Sequence, residues 1–519
     1  MLALPGGIAP RTASNCVSKD NHPDDSNESQ AHWRRRGVLK VLVFLPVLGA
    51  AVVALLPVRR AVWLWRAAMF FVFAALACAL WLAGGFDPAS PAIQFYDSHP
   101  WNARLGSHFA LGVDGIALAM VLLTALLTLV AVLVSRRMDS GARLYFALVL
   151  LLESAMFGVF TARDWSLFYV FWEATLLPLF FLIERLGGPN RQQAALNFFL
   201  YTLGGSVFML VSLLFLYDAA PGHSFLMADM ADGGRALPLN MQMLIFAGLF
   251  IGFGVKMPIF PLHGWLPLAH VEAPSPVSIL LSGVLLKMGA YGLIRAAETL
   301  PAALLATQDW LAALAFISLL YGGILAWCQQ DLKAMVAYSS IAHMGIVLLG
   351  IASLNVTGLT GAVMQMVAHG LTVATLFLVV GLLYQRTHSR DLADYGSLLG
   401  KAPRFAFFTA FALLAAIGLP GSAGFIAELH VLIGGFARWS GWIVLLGVAM
   451  LIGAAYSFRV LGRLCTRALP MQDLADMTRT ETVAATLLAL SIVTLGVWPA
   501  PLLGLVAGSV DRVVRLFGA

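Results

Sequence analysis

The stretch LIFAGLFIGFGVKMPIFPLHGWLPLAHVEAP, residues 244–274, joins a long apolar run to a lysine and several prolines. With its flanks, the apolar run is long enough to cross a hydrocarbon core of roughly 30 Å as a helix. Each proline after Lys256 removes a backbone donor and clashes with the preceding helical turn. The stretch therefore predicts a membrane-spanning helix that is broken just after the lysine, by Pro258, Pro261 and Pro267.

The whole chain has the composition of an integral membrane protein. Of its 519 residues, 60% are hydrophobic and 11% are charged, and the mean hydropathy is +0.86. A soluble protein of this length would need far more charge to cover its surface. We therefore predict an all-α, polytopic membrane protein with about fourteen transmembrane helices. They are centred on residues 38–57, 61–83, 112–135, 144–162, 165–184, 193–217, 241–262, 276–297, 303–327, 333–352, 356–384, 405–431, 439–462 and 481–507.

Several other classes of site are disfavoured by the same sequence. The net charge of +6 lies mostly in loops, so it indicates topology and not a nucleic-acid surface. The sequence has no GxxxxGK[ST] motif and no GxGxxG after a strand, which argues against nucleotide binding. The cysteines are far apart and form no CxxC pair, which argues against an iron–sulfur cluster, a zinc site or a disulfide framework. They are Cys16, Cys78, Cys328 and Cys465.

The chain divides into five parts. The first 37 residues are polar, end in three arginines and lack the order of a signal peptide, so we interpret them as a disordered tail or a misassigned start. The remaining parts are N-terminal transmembrane helices over 38–140, two repeats over 144–298 and 303–467, and a C-terminal transmembrane helix over 481–507.

Lysine and arginine are unevenly distributed between the two sets of loops. If the first helix starts outside, the inner loops hold fifteen of these residues, against seven for the outer loops and C-terminus. Because inner loops of membrane proteins are enriched in positive charge, both termini are predicted on the outer side. In a bacterial cell this corresponds to a multi-pass protein of the inner membrane with periplasmic termini.

The twelfth span is interrupted like the seventh. The sequence GLPGSAG, residues 418–424, separates its two apolar halves. Two broken helices five spans apart suggest paired structural repeats, a common transporter architecture. Two unrelated kinks remain the alternative, and the sequence does not show whether the repeats are inverted.

Two of the six lysines lie inside apolar spans. Lys256 ends the apolar run of the seventh span, and Lys287 lies within ILLSGVLLKMGAYGL. A charged group at the centre of a membrane helix costs roughly 2.5–3.5 kcal/mol. Arginine would be a permanent cation there, whereas a buried lysine can release its proton. The choice of lysine therefore indicates that titration matters.

Three carboxylates match these lysines. Glu153 lies in ALVLLLESAMFGVF, Glu173 in LFYVFWEATLLPLFFLI, and Glu428 in GFIAELHVLI just after the second break, at roughly the position that Lys256 has in the first half. Burial raises the pKa of a lone carboxyl group and lowers that of a lone amine, and pairing reverses both shifts. A Glu–Lys pair that forms and separates can therefore move a proton on and off the lysine. A purely structural ion pair is the alternative.

Histidines add groups that titrate near neutral pH. His343 and His369 lie within spans and are candidate proton relays, with a hydrogen-bonded core histidine as the alternative for each. His263 and His270 lie beside the first break, but their spacing matches no ligand motif, so we predict no metal site there.

Several motifs, in their order along the chain, resemble the antiporter-like subunits of bacterial NADH–quinone oxidoreductase (respiratory complex I), and among them the subunit M family. The resemblance covers the chain from about residue 41 to its end. The motifs are LGVDGIAL (111–118), FYVFWEATLLPLFFLI (168–183), VKMPIFPLHGWLPLAHVEAP (255–274), GVLLKMGAYGLIR (283–295), DLKAMVAYSSIAHMG (331–345), AHGLTVATLF (368–377), YQRTHSRDL (384–392) and LPGSAGFIAE (419–428).

The resemblance implies a fourteen-helix fold with two inverted five-helix repeats, broken helices 7 and 12, and a role as one proton-pumping module of the membrane arm. By position, Glu173 resembles the glutamate that pairs with the broken-helix lysine, Lys256. Lys287 resembles the central relay lysine, and His343 its neighbouring histidine. Glu428 resembles the terminal acidic site of the second half-channel.

The resemblance also implies partners. Sister antiporter-like subunits would lie on either side in the bilayer, while NADH, FMN, the iron–sulfur clusters and quinone would bind partner subunits and no cofactor would bind this chain. Two alternatives of the same fold are a subunit of a multisubunit Na⁺/H⁺ antiporter and a hydrogenase-linked proton pump. A membrane anchor that does not pump is disfavoured, because a scaffold gains nothing from the desolvation cost of buried lysines.

Overall fold

The computed structural model describes residues 37–57, 60–138, 141–466 and 474–518. Within these residues, thirteen helical stretches are long and apolar enough to cross a membrane. One of them, Ala423–Leu464, contains two successive helices, and a shorter apolar helix, Pro403–Ala416, precedes it. The predicted helical membrane fold is confirmed. Of the predicted tail over residues 1–37, all but Gly37 lies outside the described residues.

The elements follow one another in a simple order. The first half contains α1 (Val38–Leu55), α2 (Ala61–Gly84), β1 (Gln94–Asn102), β2 (Ser107–Val113), α3 (Gly115–Val134), α4 (Ala142–Thr161), α5 (Trp165–Ala174), α6 (Leu176–Leu186), α7 (Arg191–Ala219), α8 (Met227–Ala236), α9 (Leu239–Lys256), α10 (Leu266–Glu272), α11 (Ser275–Leu280) and α12 (Leu286–Thr299). The second half contains α13 (Pro301–Cys328), α14 (Leu332–Ala352), α15 (Val356–Thr387), α16 (Leu398–Lys401), α17 (Pro403–Ala416), α18 (Ala423–Trp439), α19 (Val444–Thr466), α20 (Arg479–Val497) and α21 (Ala500–Val514).

Polar side chains fix where several membrane helices begin. The first amide groups of a helix have no intrahelical acceptor, and an Asp or Asn just before the helix supplies one. Four helices begin in this way: α3 is capped by Asp114, α5 by Asp164, α14 by Asp331 and α15 by Asn355.

The most deeply buried helices lie at the centre of the bundle. The stretch Ser275–Thr299 and helix α15 are wholly buried over their most apolar windows, and most of α3, α4 and α14 is buried as well. In helices α1, α2 and α20, only about a third of the residues in the most apolar window are buried. The lysine-bearing stretch Ser275–Thr299 is therefore surrounded by protein, where a charged group can find partners.

Both predicted helix breaks are present. Helix α9 ends at Lys256, and a series of turns leads to α10, while α17 ends at Ala416 and α18 begins at Ala423. Helix α9 packs against α7, and α18 packs against α15, so each broken helix lies on the long helix that precedes it. The breaks occupy equivalent places in the two halves.

Glycines let the central helices approach closely. Gly283, in the π-helical turn Leu281–Leu285 that joins α11 to α12, lies against Gly370 of α15. A Cβ on Gly370 would lie 2.9 Å from the carbonyl oxygen of Gly283, which is too close without movement of one helix. Likewise, a Cβ on Gly289 would lie 2.5 Å from the carbonyl oxygen of Phe253, so α12 passes tightly beside the end of α9.

Two features differ from the sequence-based expectation. Strands β1 and β2 form an antiparallel hairpin in a region expected to be a loop, because a chain that leaves the membrane must still pair its buried backbone groups. The single C-terminal helix predicted over 481–507 is divided at Trp498 and Pro499 into α20 and α21, since proline ends the preceding helix.

Candidate functional site

Lys256 is buried at the end of α9, with 1% of its surface exposed. Its Nζ donates a hydrogen bond to Oγ1 of Thr175 over 2.9 Å. The same ammonium group lies 4.8 Å from the centre of the Trp172 ring, over the negative face of the indole. Thr175 lies at the one-residue interruption between α5 and α6, so the two broken elements meet at this lysine.

Glu173 and Lys256 do not form a direct ion pair in this structure. No oxygen of Glu173 lies within 4.0 Å of Nζ among the described ion pairs, although the carboxylate is near enough to act electrostatically on the lysine. Glu173 is half-buried, and its Oε1 has no hydrogen-bond partner in the described part of the chain. The pair is therefore separated in this conformation, because the ammonium group lies instead against Thr175, two residues further along.

Glu153 lies on α4 and is fully buried. Both of its carboxylate oxygens lack hydrogen-bond partners among the described residues. A buried carboxylate without partners is costly, so such a group must bind a water, a proton or an approaching cation. The structure shows no direct contact between Glu153 and the predicted lysines.

Lys287 forms the centre of a second cluster. Its Nζ donates to the carbonyl oxygen of Ser282 over 2.6 Å and lies 2.7 Å from Nδ1 of His369. Ser282 belongs to the π-helical turn Leu281–Leu285, and such a turn shifts the backbone carbonyl groups out of the ordinary helical ladder. The direct neighbour of Lys287 is thus His369, whereas the resemblance pointed to His343.

His343 and Glu428 continue this cluster. The rings of His343 and His369 lie 5.2 Å apart between centroids, and Nε2 of His343 lies 3.0 Å from the carbonyl oxygen of Ala416. A cavity of about 10 Å³ is lined by both histidines and Glu428, and one of about 30 Å³ by His343, Glu428 and Tyr456. These volumes are close to the space that one or a few water molecules need.

Glu428 lies at the second break but after it, whereas Lys256 lies before the first break. The two positions therefore correspond only roughly. Gly418 has a φ of 68°, which favours glycine, and a Cβ on this residue would overlap Oε2 of Glu428. The glycine at the break therefore makes room for the carboxylate.

Lys333 and His270 were not identified as site residues from sequence. Lys333 was counted as an inner-loop charge, yet it is buried on the first turn of α14 and donates to the carbonyl oxygen of Ala273 over 2.9 Å. It lines a cavity of about 570 Å³ together with Glu272 and Arg390. The DLK motif, with Asp331 as helix cap, was the signal that Lys333 belongs to a helix.

His270 is fully buried and stacks on Phe377, with ring centroids 4.6 Å apart. Neither of its ring nitrogens has a hydrogen-bond partner in the described residues. The charges of both Lys333 and Lys287 act on this ring. His263 packs separately against Phe260 and Tyr321, and no group of three or more His, Cys, Asp or Glu side chains in the described ranges could hold a metal.

A buried cluster of ion pairs joins distant helices at the start of α3. Asp114 accepts hydrogen bonds from Arg295 and Arg512, each over 2.7 Å, and Arg163 lies 3.4 Å away. Burial alone would raise the pKa of Asp114, but these three guanidinium groups outweigh it and hold the pKa well below its usual value. The sequence placed these arginines in outer loops, and only the aspartate in LGVDGIAL hinted at a partner for them.

The motif YQRTHSRDL carries structural contacts at the opposite end of the bundle. Arg386 donates to Oε2 of Glu481 over 2.6 Å and so joins α15 to α20. Arg390 lies 3.2 Å from the carboxylate of Asp331. These ion pairs hold helix ends together.

Residues 162–453 match the family described as NADH:quinone oxidoreductase/Mrp antiporter, TM. The chain is 37% identical over 506 residues to NADH-quinone oxidoreductase subunit M of Rhodobacter capsulatus, with 93% of this chain and 98% of the relative covered. It is 40% identical over 489 residues to NAD(P)H-quinone oxidoreductase chain 4 1 of Synechococcus sp. (strain JA-2-3B'a(2-13)), with 91% of each covered.

Solved structures show the same fold. A chain of respiratory complex I from Thermus thermophilus with bound NADH superposes with a TM-score of 0.84 and 30% identity, covering 93% of this chain and 100% of that one. A chain of the Mrp complex from Dietzia sp. DQ12-45-1b superposes with a TM-score of 0.83 over 93% of this chain and 98% of that one, but at 19% identity it supports the fold alone. The chain belongs to the NADH:quinone oxidoreductase/Mrp antiporter family, and within it to the subunit M family of NADH–quinone oxidoreductases.

Proposed function

We propose that this chain is a proton-translocating membrane-arm subunit of an NADH–quinone oxidoreductase. It moves protons through buried lysine, histidine and glutamate side chains while electrons pass from NADH to quinone in partner subunits. The observation that carries the proposal is the continuous series formed by Lys287, His369, His343 and Glu428, with water-sized cavities between the histidines and the carboxylate.

Lys256 supplies the step that depends on conformation. An ammonium group in the membrane interior is stable only beside a partner, and two partners are available within one turn, Thr175 and Glu173. Against Thr175 the ammonium has one neutral acceptor, and against Glu173 it would gain an opposite charge. Moving between them changes how strongly the lysine holds its proton, which is what a pump requires.

The cavity beside Lys333 gives protons access from one end of the bundle. It is lined by charged and backbone polar groups, and His270 lies between this end and Lys287. With one nitrogen accepting and the other donating, an imidazole can pass a proton onward. We assign entry to this end and release beyond Glu428.

Glu153 supplies a further carboxylate on the side of Glu173, where it could receive a proton by way of a bound water.

We assign no cofactor to this chain and expect NADH, FMN, iron–sulfur clusters and quinone in partner subunits. Sister antiporter-like subunits flank it in a bacterial inner membrane, with both termini on the periplasmic side.

Affinity purification in mild detergent, followed by mass spectrometry of the co-purifying chains, tests this proposal. NADH-dehydrogenase subunits are expected. Co-purification of antiporter subunits alone would instead assign the chain to a Na⁺/H⁺ antiporter, and hydrogenase subunits would assign it to a hydrogenase-linked pump.

A further inference from the structure

The groove with the largest volume among those described lies on the membrane face of the bundle, between α13 and the turn from α18 to α19. It has a volume of about 800 Å³. Its floor is apolar and includes Phe316 and Ile317, and its rim carries Asp309, Arg438 and two tryptophans. An apolar floor with a polar rim is the pattern that fits an amphipathic ligand.

The rim lies at the depth of lipid headgroups. Helix α13 has 28 residues, and the roughly 19 residues from Asp309 to its end rise about 28 Å, close to the roughly 30 Å of a hydrocarbon core. Of the two tryptophans that line the groove, Trp439 and Trp442, Trp442 is 70% exposed, and Trp310, which follows Asp309 on α13, is 72% exposed. Exposed tryptophans are enriched at the membrane–water interface, which places the polar rim in the headgroup layer.

The two charges on the rim face the same groove but do not neutralise each other. Asp309 and Arg438 do not form an ion pair within 4.0 Å, and Arg438 has no hydrogen-bond or ion-pair partner in the described part of the chain. Asp309 accepts one hydrogen bond, from Nε1 of Trp439 to Oδ1 over 2.9 Å. A cation and an anion, separated across one groove, are thus available to an external ligand.

We propose that this groove binds a zwitterionic phospholipid with a primary amine, that is, a phosphatidylethanolamine. The phosphate lies at Arg438, the ammonium group lies at Asp309, and an acyl chain covers the apolar floor. A guanidinium fork suits a phosphate, and an ammonium group offers three donors to a carboxylate. The carboxylate of Asp309 would repel the negative charge of an anionic headgroup. A choline headgroup has no N–H to donate to this carboxylate.

Quantitative mass spectrometry of the phospholipids that remain on the intact complex, purified in mild detergent, tests this site. Arg438→Gln and Asp309→Asn should each lose one bound phosphatidylethanolamine per complex. Asparagine still accepts from Trp439, so Asp309→Asn keeps the local fold, and Arg438→Lys should retain the lipid. Arg104→Gln, at an exposed arginine away from the groove, is the matched control and should change nothing.

Two results would overturn the proposal. Loss of an anionic lipid from Arg438→Gln, with no effect of Asp309→Asn, would show a site for phosphate alone. If no lipid is lost, and a photo-crosslinker at Ile317 attaches to another protein chain and not to lipid, the groove is a contact between subunits.

Discussion

The ammonium group of Lys287 and Nδ1 of His369 lie 2.7 Å apart in the wholly buried centre of the bundle. Because Nδ1 accepts this hydrogen bond, the proton of a neutral imidazole must lie on Nε2. In the described residues Nε2 has no partner, although the ring faces the water-sized cavity shared with His343 and Glu428. The imidazole can thus take a proton from the lysine on one side and release another on the side of the carboxylate.

His369→Phe should lower coupled NADH:quinone turnover and proton pumping by about tenfold or more, because a positioned proton carrier often contributes roughly 100-fold. Phenylalanine places a slightly larger aromatic ring at this position, so the variant leaves no cavity. His369→Gln should be impaired as well, since an amide forms hydrogen bonds but does not titrate near neutral pH. Pumping is measured in inverted membrane vesicles with a pH-sensitive dye. His223→Asn, in an exposed turn, is the control, and equal pumping by wild type and His369→Phe would contradict the relay.

Thr175→Val should slow coupled turnover, whereas Thr175→Ser should restore it. The hydroxyl group is the acceptor that holds Lys256 away from Glu173, and hydrogen bonds to charged groups contribute about 1.5–3 kcal/mol, or about tenfold at the lower value. Valine matches threonine in shape, so the fold is retained. A purely structural role would leave serine no better than valine, and that result would exclude Thr175 as an alternate partner.

Gly418→Ala should impair pumping more than Gly421→Ala. Both glycines have positive φ, so both variants carry a backbone strain of about 1–2 kcal/mol. Only at Gly418 would the new methyl group displace the carboxylate of Glu428, since a Cβ at Gly421 meets nothing within 4 Å. Equal effects of the two variants would show that strain alone matters.

Glu428→Gln should likewise be more impaired than Glu428→Asp, because the site needs a titratable proton.

Asp114→Asn should destabilise the complex, by on the order of 3–5 kcal/mol, because it removes the carboxylate that the three arginines share and leaves Glu298 as the acidic partner of Arg295 and Arg512. The folded-state pKa of Asp114 is lowered, so its contribution is present above the ordinary aspartate pKa of about 3.9 and is lost as the pH falls below it. The melting temperature in detergent at neutral pH is the measurement, and the gap between the variant and wild type should narrow in acid. Asp97→Asn, which removes a more exposed pair with Lys40, should change stability by about 1 kcal/mol at most. A difference in melting temperature between Asp114→Asn and wild type that is the same at every pH would contradict the lowered pKa of Asp114.

The sequence predicted the helical membrane fold and both breaks because each has a local cause. Apolar length fixes a span, and the prolines and glycines after Lys256 and before Glu428 fix where a helix stops. The hairpin of β1 and β2 was missed because its strands lie between the predicted spans, where the length of an apolar run gives no signal. The division of the last helix at Pro499 also has a local cause, since proline ends the helix that precedes it.

The partners within the site were harder to predict, because they depend on packing between distant segments. That His369, and not His343, contacts Lys287 follows from the π-helical turn and from the close approach of Gly283 and Gly370, which no local pattern reveals. Lys333 was assigned to a loop by charge counting, although the helix cap at Asp331 places it on α14. The partners of Asp114 come from three separate parts of the chain.

The central claim is that Lys256, together with Glu173, moves protons, and the number of protons pumped per NADH oxidised tests it most directly. Lys256→Ala and Glu173→Ala should leave assembly intact, and both pumping and coupled electron transfer should fall severely. Lys40→Ala, at a lysine of the bundle surface, is the matched control and should pump normally. A fully assembled Lys256→Ala complex that pumps at the wild-type ratio would contradict the account.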